Sequence, residues 1–233
     1  MTSNKRQARI AGLLYLLLGI TGMIGLGYLP LKIIVPGDIT ATARNISTSA
    51  FLFRLDIVSN LISQTLFVFL VLALYHLFKE VNRRYAILMV SLVIVSVPIA
   101  FIAVLNQLGV LLVLNGADFQ NVFSQDQQNA LAMLFLKLYE HGNSIAEIFW
   151  GLWLFPFGYL TYKSGFIPKI FGILLMIACF GYLASSFTVL LFPEHIGLVS
   201  PFTMVTGTVG EFSIIFWLLI KGVRDSQPAG TGS

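Results

Sequence analysis

An acidic residue, Glu211, lies within the apolar segment 196–220. It is about 15 Å along a helix from Lys221, near the middle of a bilayer. Thr203, Gly207 and Gly210 share its helical face. A charge at this depth is costly and tends to mark function, so Glu211 is a candidate proton or ligand site. It could equally be a protonated side chain that hydrogen-bonds to a neighbouring helix.

The densest group of ionisable residues comprises Lys137, Glu140, His141 and Glu147. If the helix is continuous here, Glu140 and Glu147 share one of its faces. Two interpretations are open. The group could contribute to a polar cavity, or it could be a salt-bridge cluster in water at the outer interface.

A polar stripe follows the second apolar segment, where Asp56, Asn60 and Ser63 recur at helical spacing. Such a stripe should face other helices and not lipid. Arg54 is two positions from Asp56, so the two side chains do not face each other on a helix. We therefore consider Glu147 as a partner of Arg54 from another segment.

These residues predict an outward-facing polar cavity that binds a small molecule, a lipid or a proton. Its candidate residues are Arg54, Asp56, Asn60, Glu140, His141, Glu147 and Glu211. Two alternatives stay open: a structural or regulatory membrane module, and a membrane-embedded enzyme acting on a lipid-soluble substrate. No catalytic residue, cofactor or metal is predicted, because the sequence has one cysteine, three scattered histidines and no zinc spacing.

The elements that must position these residues are long apolar helices. Apolar residues make up 57% of the 233 and charged residues only 10%, against about 25% charged in a soluble domain. Each apolar segment has at least the roughly 20 residues that a helix needs to cross a bilayer. The sequence therefore predicts an all-α polytopic integral membrane protein, a single bundle over 10–222 with six spans: 10–35, 51–78, 85–114, 143–162, 166–192 and 196–220.

The distribution of Lys and Arg predicts the orientation, because cytoplasmic loops are enriched in both. With residues 1–9 inside, 10 of the 14 fall on the cytoplasmic side: Lys5, Arg6, Arg9, Lys79, Arg83, Arg84, Lys163, Lys169, Lys221 and Arg224. Both termini are then cytoplasmic. The expected location is the bacterial inner membrane, with lipid as the main partner and a homo-oligomer conceivable. The cations lie at the ends of apolar segments and no basic soluble domain exists, so nucleic acid is not an expected partner.

One polar loop is expected to lead into a helix. Ser124 and Gln127 fit a capping box, which predicts a helix start near Gln125. We expect an interfacial helix over 125–141, a break at Gly142-Asn143 and then the fourth span. The last residues, 223–233, are rich in Pro, Gly and Ser and are expected to be a disordered cytoplasmic tail.

Several stretches are similar to a bacterial family of uncharacterised membrane proteins, the domain of unknown function 4386 family. The most specific are the segment from PGD at 36–38 to FRL at 53–55 and the loop YKSGFIPK at 162–169; RIAGLLYLLLGITG at 9–22 and GEFSIIFWLLIKG at 210–222 also match. The similarity extends from about residue 8 to 222. It implies a six-span bacterial membrane protein and supplies neither an activity nor catalytic residues.

Overall fold

The computed structural model describes residues 3–223, and within that range the backbone forms helices and no strands. The first apolar segment is helical as far as Ile33, but a π-helical stretch interrupts its α-helical geometry. The ten α-helices are α1 Ser3–Gly22, α2 Leu29–Ile33, α3 Ile39–Thr48, α4 Ala50–Phe78, α5 Arg83–Asn115, α6 Ala117–Gln120, α7 Gln125–Leu152, α8 Leu154–Lys163, α9 Lys169–Leu191 and α10 Ile196–Ile220; Met23–Tyr28 forms the π-helical segment and Pro193–His195 a 3₁₀ turn.

Five helical stretches of the described chain are long and apolar enough to cross a membrane: Asn4–Ile33, Ala50–Phe78, Arg83–Asn115, Lys169–Leu191 and Pro193–Ile220. Large apolar side chains on their surfaces are exposed, for example Ile102, Leu105 and Leu112 on α5. A contiguous apolar surface of this kind suits lipid and not water. The protein is therefore a helical membrane protein. Helix α7 is not among these five stretches, and its sequence mixes apolar residues with many polar ones.

The chain divides into two compact units. The first unit comprises the described residues of 1–16, 67–95 and 147–233, and the second comprises 17–66 and 96–146. Helices α1, α4, α5 and α7 contribute residues to both.

In the first unit, glycines bring helices into backbone contact. A Cβ at Gly172 of α9 would lie 2.5 Å from the carbonyl oxygen of Gly158 of α8. Trp153, at the junction of α7 and α8, is 2% exposed and contacts the rings of Phe67 and Phe157. Small residues and stacked rings therefore hold this unit together, as expected where lipid provides no hydrophobic drive between helices.

The second unit has its own apolar core. This core is made by residues of α2, α3, α4, α5 and α7: Ile33, Ala43, Ile46, Phe53, Ile57, Ala103, Val104, Val110, Leu111, Leu114, Ala132, Leu136 and Tyr139. Asp38 is the N-cap of α3, and its carboxylate accepts a 2.8 Å hydrogen bond from the backbone N–H of Ala41. The preceding Gly37 has a φ of +78°, a conformation that glycine adopts without strain.

Helix α7 begins at Gln125, and its capping box is present: the backbone N–H of Ser124 donates to the Gln127 side chain at 2.9 Å. The predicted break at Gly142-Asn143 is wrong, because α7 continues through both residues to Leu152. A Cβ at Gly142 would lie 2.7 Å from the Cβ of Ala103 on α5, so this glycine permits close packing and does not end the helix. Helix α7 ends at Leu152 and α8 begins at Leu154, and the backbone of Trp153 between them stays in the right-handed helical region. The predicted disordered tail lies outside the described residues, except for Val223.

Candidate functional site

A cavity of about 270 Å³ lies within the second unit. Apolar side chains make most of its wall, and polar side chains gather on α4, α5 and α7. The lining residues are Leu26, Pro30, Ile33, Ile34, Phe53, Asp56, Gln107, Leu136, Tyr139, Glu140 and Asn143.

A hydrogen-bonded network is centred on Asp56, which is 2% exposed. The Gln107 amide donates to Asp56 Oδ2 at 2.6 Å, and the Asn60 amide donates to Asp56 Oδ1 at 3.3 Å. Asn60 Nδ2 also lies 3.0 Å from the Tyr139 hydroxyl, which is hydrogen-bonded to the Asn143 side chain. Helices α4, α5 and α7 each contribute to this network, so it fixes their side chains around the cavity.

Gly25, in the π-helical segment, leaves room for the Asn60 side chain. A Cβ at Gly25 would lie 2.5 Å from Asn60 Oδ1 and 2.9 Å from Asn60 Cγ. Asn60 therefore packs directly on the backbone of the first membrane helix. Short π-helical insertions in α-helices are found preferentially at functional sites.

The charge of the cavity is negative or neutral, and not positive. Two carboxyl groups line it, those of Asp56 and Glu140, whereas its described lining includes no Lys, Arg or His. The two amides satisfy the oxygens of Asp56 but carry no charge. A carboxylate buried without a countercharge is costly, so a cation or a proton is the species that would stabilise it.

The structure brings together three of the sequence-predicted residues in this region: Asp56 and Asn60 are hydrogen-bonded, and exposed Glu140 lines the same cavity. Arg54 and His141 belong to the same unit, are exposed and do not line the cavity. No further role for them follows from their positions.

The remaining two candidates, Glu147 and Glu211, belong to the first unit. The Glu211 carboxyl accepts hydrogen bonds from Tyr15 at 2.6 Å and from Tyr182 at 2.7 Å. Glu147 is hydrogen-bonded to Ser185. The pairing of Arg54 with Glu147 and the convergence of all seven residues on one cavity stay predictions.

Several partners were not singled out from the sequence as site residues: Tyr15, Tyr139, Asn143 and Tyr182. Tyr139 and Asn143 are one helical turn apart on α7, and this spacing is the sequence pattern that predicts that they lie together. Asn106 precedes Gln107 on α5, but its amide donates to the backbone carbonyls of Ile102 and Ala103 in its own helix. Among the described residues, no group of three or more His, Cys, Asp or Glu is placed to hold a metal ion.

Comparison with known proteins gives a family and no activity. A stretch of 87 residues is 37% identical to an uncharacterised protein of Archaeoglobus fulgidus, covering 37% of this chain and 50% of that relative. The match thus spans about half the length of the relative. No solved structure matches the chain. The model of the family described as a domain of unknown function (DUF4386) matches residues 10–222. Since this match covers most of the chain, the protein belongs to the DUF4386 family.

Proposed function

We propose that this protein binds a small amphipathic organic cation in the cavity of the second unit, as a binding or transport-type protein of the bacterial inner membrane. The observation that carries the proposal is the buried Asp56 carboxyl on the wall of a cavity whose described lining has no cationic side chain. A ligand with a positive charge would supply the missing countercharge.

The polar and the apolar lining residues of the cavity suit the two ends of such a ligand. Asp56 and Glu140 offer carboxylates, and the Phe53 and Tyr139 rings line the same space. Aromatic faces attract cations, and they do so most strongly where water is excluded. Leu26, with the other aliphatic lining residues, would contact the apolar part of the ligand.

The volume limits the size of the ligand. A cavity of about 270 Å³ is slightly below the range of roughly 300–1,000 Å³ that is usual for drug-sized ligands. It is large for a bare metal ion. We therefore expect a quaternary or protonated amine with a short apolar group.

We further propose that the protein has six spans and that both of its termini are in the cytoplasm. The Lys and Arg distribution supports this orientation. The fourth crossing would be made by α7 together with α8, and the cavity, lined by the C-terminal end of the first membrane helix, would then open outward.

The test is binding of benzyltrimethylammonium to the purified full-length protein in detergent, with benzenesulfonate as an anion of similar size. We expect the cation to bind and the anion not to bind. Asp56→Asn should weaken cation binding by about tenfold to a hundredfold, because a hydrogen-bonded charge interaction contributes roughly 1.5–3 kcal/mol. Isothermal titration calorimetry measures both affinities.

Asp38→Asn is the matched control, because it makes the same change at an exposed helix cap that does not line the cavity. Asparagine also caps helices well, so stability and binding should be preserved. Equal binding by wild type and Asp56→Asn, or no cation binding by a folded protein, would contradict the proposal. The second outcome would favour a structural module whose polar residues only hold helices together.

A further inference from the structure

Glu211 has an unusual pair of partners in the first unit. Tyr15 of α1 donates to Oε2 at 2.6 Å, and Tyr182 of α9 donates to Oε1 at 2.7 Å. Hydroxyl–carboxylate bonds of this length are typical of a charged acceptor. The carboxyl of α10 is thus bound by two neutral phenols, in contrast to the usual pairing of a membrane carboxylate with a cation.

The surroundings of the two phenols are fixed by packing. Tyr15 is 2% exposed and packs against the rings of Trp153 and Phe157. Tyr182 lies over Gly207, one turn from Glu211, where an added Cβ would be 3.2 Å from its hydroxyl oxygen. Aromatic packing around Tyr15 and the close approach of Tyr182 to Gly207 therefore hold the two hydroxyls at the Glu211 carboxyl.

We infer that Glu211, Tyr15 and Tyr182 form a proton-binding site, separate from the cavity that we propose for a cation. The proton comes from a hydronium ion, which leaves as water, and it forms an O–H bond at one Glu211 oxygen. The protonated oxygen is a weaker acceptor, so the phenol that faces it either loses a charge-assisted hydrogen bond or turns to accept the new O–H. In either case the two protonation states differ in the hydrogen bonds of the tyrosines.

A proton fits this site better than a larger ion. Each carboxyl oxygen accepts one short hydrogen bond and keeps a second lone pair that can take a proton. Among the described residues, no group of three or more His, Cys, Asp or Glu is placed here to hold a metal ion. The titratable groups facing the site are Tyr15 from α1, Tyr182 from α9 and, beyond Tyr182, Glu147 from α7, which interacts electrostatically with Tyr182.

Infrared difference spectroscopy of the full-length protein in lipid vesicles, from about pH 4 to about pH 10, tests the inference. We expect a protonated-carboxyl C=O band to appear on acidification, together with a change in the tyrosine C–OH band. The Glu211 component of both changes should be absent from Glu211→Gln, while the bands of other carboxyl groups, Asp56 among them, remain. Glu147→Gln, the matched control in the same unit, should retain the Glu211 component.

Tyr182→Phe gives a second arm that does not depend on removing the glutamate. It removes one donor to the charged form, so the carboxyl band should titrate at higher pH, by about one to two pH units. A purely structural role predicts that Glu211 keeps one protonation state over this pH range and gives no titrating band to shift. Identical carboxyl difference bands in wild type and Glu211→Gln, a tyrosine band that ignores the titration, or an unshifted midpoint in Tyr182→Phe would overturn the inference.

Discussion

At the scale of single residues, Gly25 shows how the absence of a side chain shapes the cavity. Gly25→Ala would place a Cβ 2.5 Å from Asn60 Oδ1. Asn60 cannot move freely, because its amide is bonded to Asp56 and Tyr139. We expect a loss of about 1–3 kcal/mol in the free energy of unfolding, the usual cost of overpacking.

Gly27→Ala is the control for this substitution, because it lies in the same π-helical segment and its Cβ would meet nothing within 4 Å. It should leave stability unchanged or raise it slightly, since alanine favours helix over glycine. Denaturant unfolding in detergent compares the two variants. Equal stabilities would mean that the contact between Gly25 and Asn60 does not constrain the fold.

The sequence predicts contacts between site residues that are close along the chain, and it does not predict contacts between residues that are far apart along it. Asp56 and Asn60 lie one helical turn apart, so their spacing alone predicts that they share a face. Gln107 and Tyr139 lie 47 and 79 residues from Asn60, and no local periodicity shows that they meet it. The two tyrosines that bind Glu211 are 196 and 29 residues away from it and were missed for the same reason.

At the scale of the helices, Gly142 has two possible roles with opposite consequences. If it weakened α7, Gly142→Ala would stabilise the protein by up to about 1 kcal/mol. In the structure the new Cβ would lie 2.7 Å from Ala103 Cβ on α5. We therefore expect Gly142→Ala to lower the unfolding free energy by about 1–3 kcal/mol, measured by denaturant titration.

The control removes the methyl group of Ala103, which faces Gly142. In an Ala103→Gly background, Gly142→Ala should lose most of its destabilising effect, because the two changes exchange one Cβ for the other. A stabilising effect of Gly142→Ala in the wild-type background would restore the interpretation of Gly142 as a weak point in the helix.

The extent of α7 shows what sequence patterns predict about elements and what they miss. The capping residues Ser124 and Gln127 predict its start because the signal is local. The pair Gly142-Asn143 predicts a break because no local pattern shows that Gly142 lies against Ala103 of α5. Long apolar segments, by contrast, predict helices directly, since a lipid environment requires internal hydrogen bonding of the backbone.

At the scale of the whole molecule, the account depends on where the cavity opens. Ile34 lines it, at the end of the first membrane helix, and Ile39 is exposed at the start of α3 without lining it. A protein in which Cys179 is replaced by alanine gives a background without native thiols, because Cys179 is the single cysteine. Cysteines introduced at these two positions can then report access from either side of the membrane.

The most direct measurement is the labelling rate of Ile34→Cys in intact cells by a membrane-impermeant maleimide, with and without benzyltrimethylammonium. We predict labelling from outside that the cation slows at Ile34→Cys and leaves unchanged at Ile39→Cys, while Lys163→Cys reacts only after the membrane is opened. Labelling of Ile34→Cys only from the cytoplasmic side, or at the same rate with and without the cation, would contradict the account.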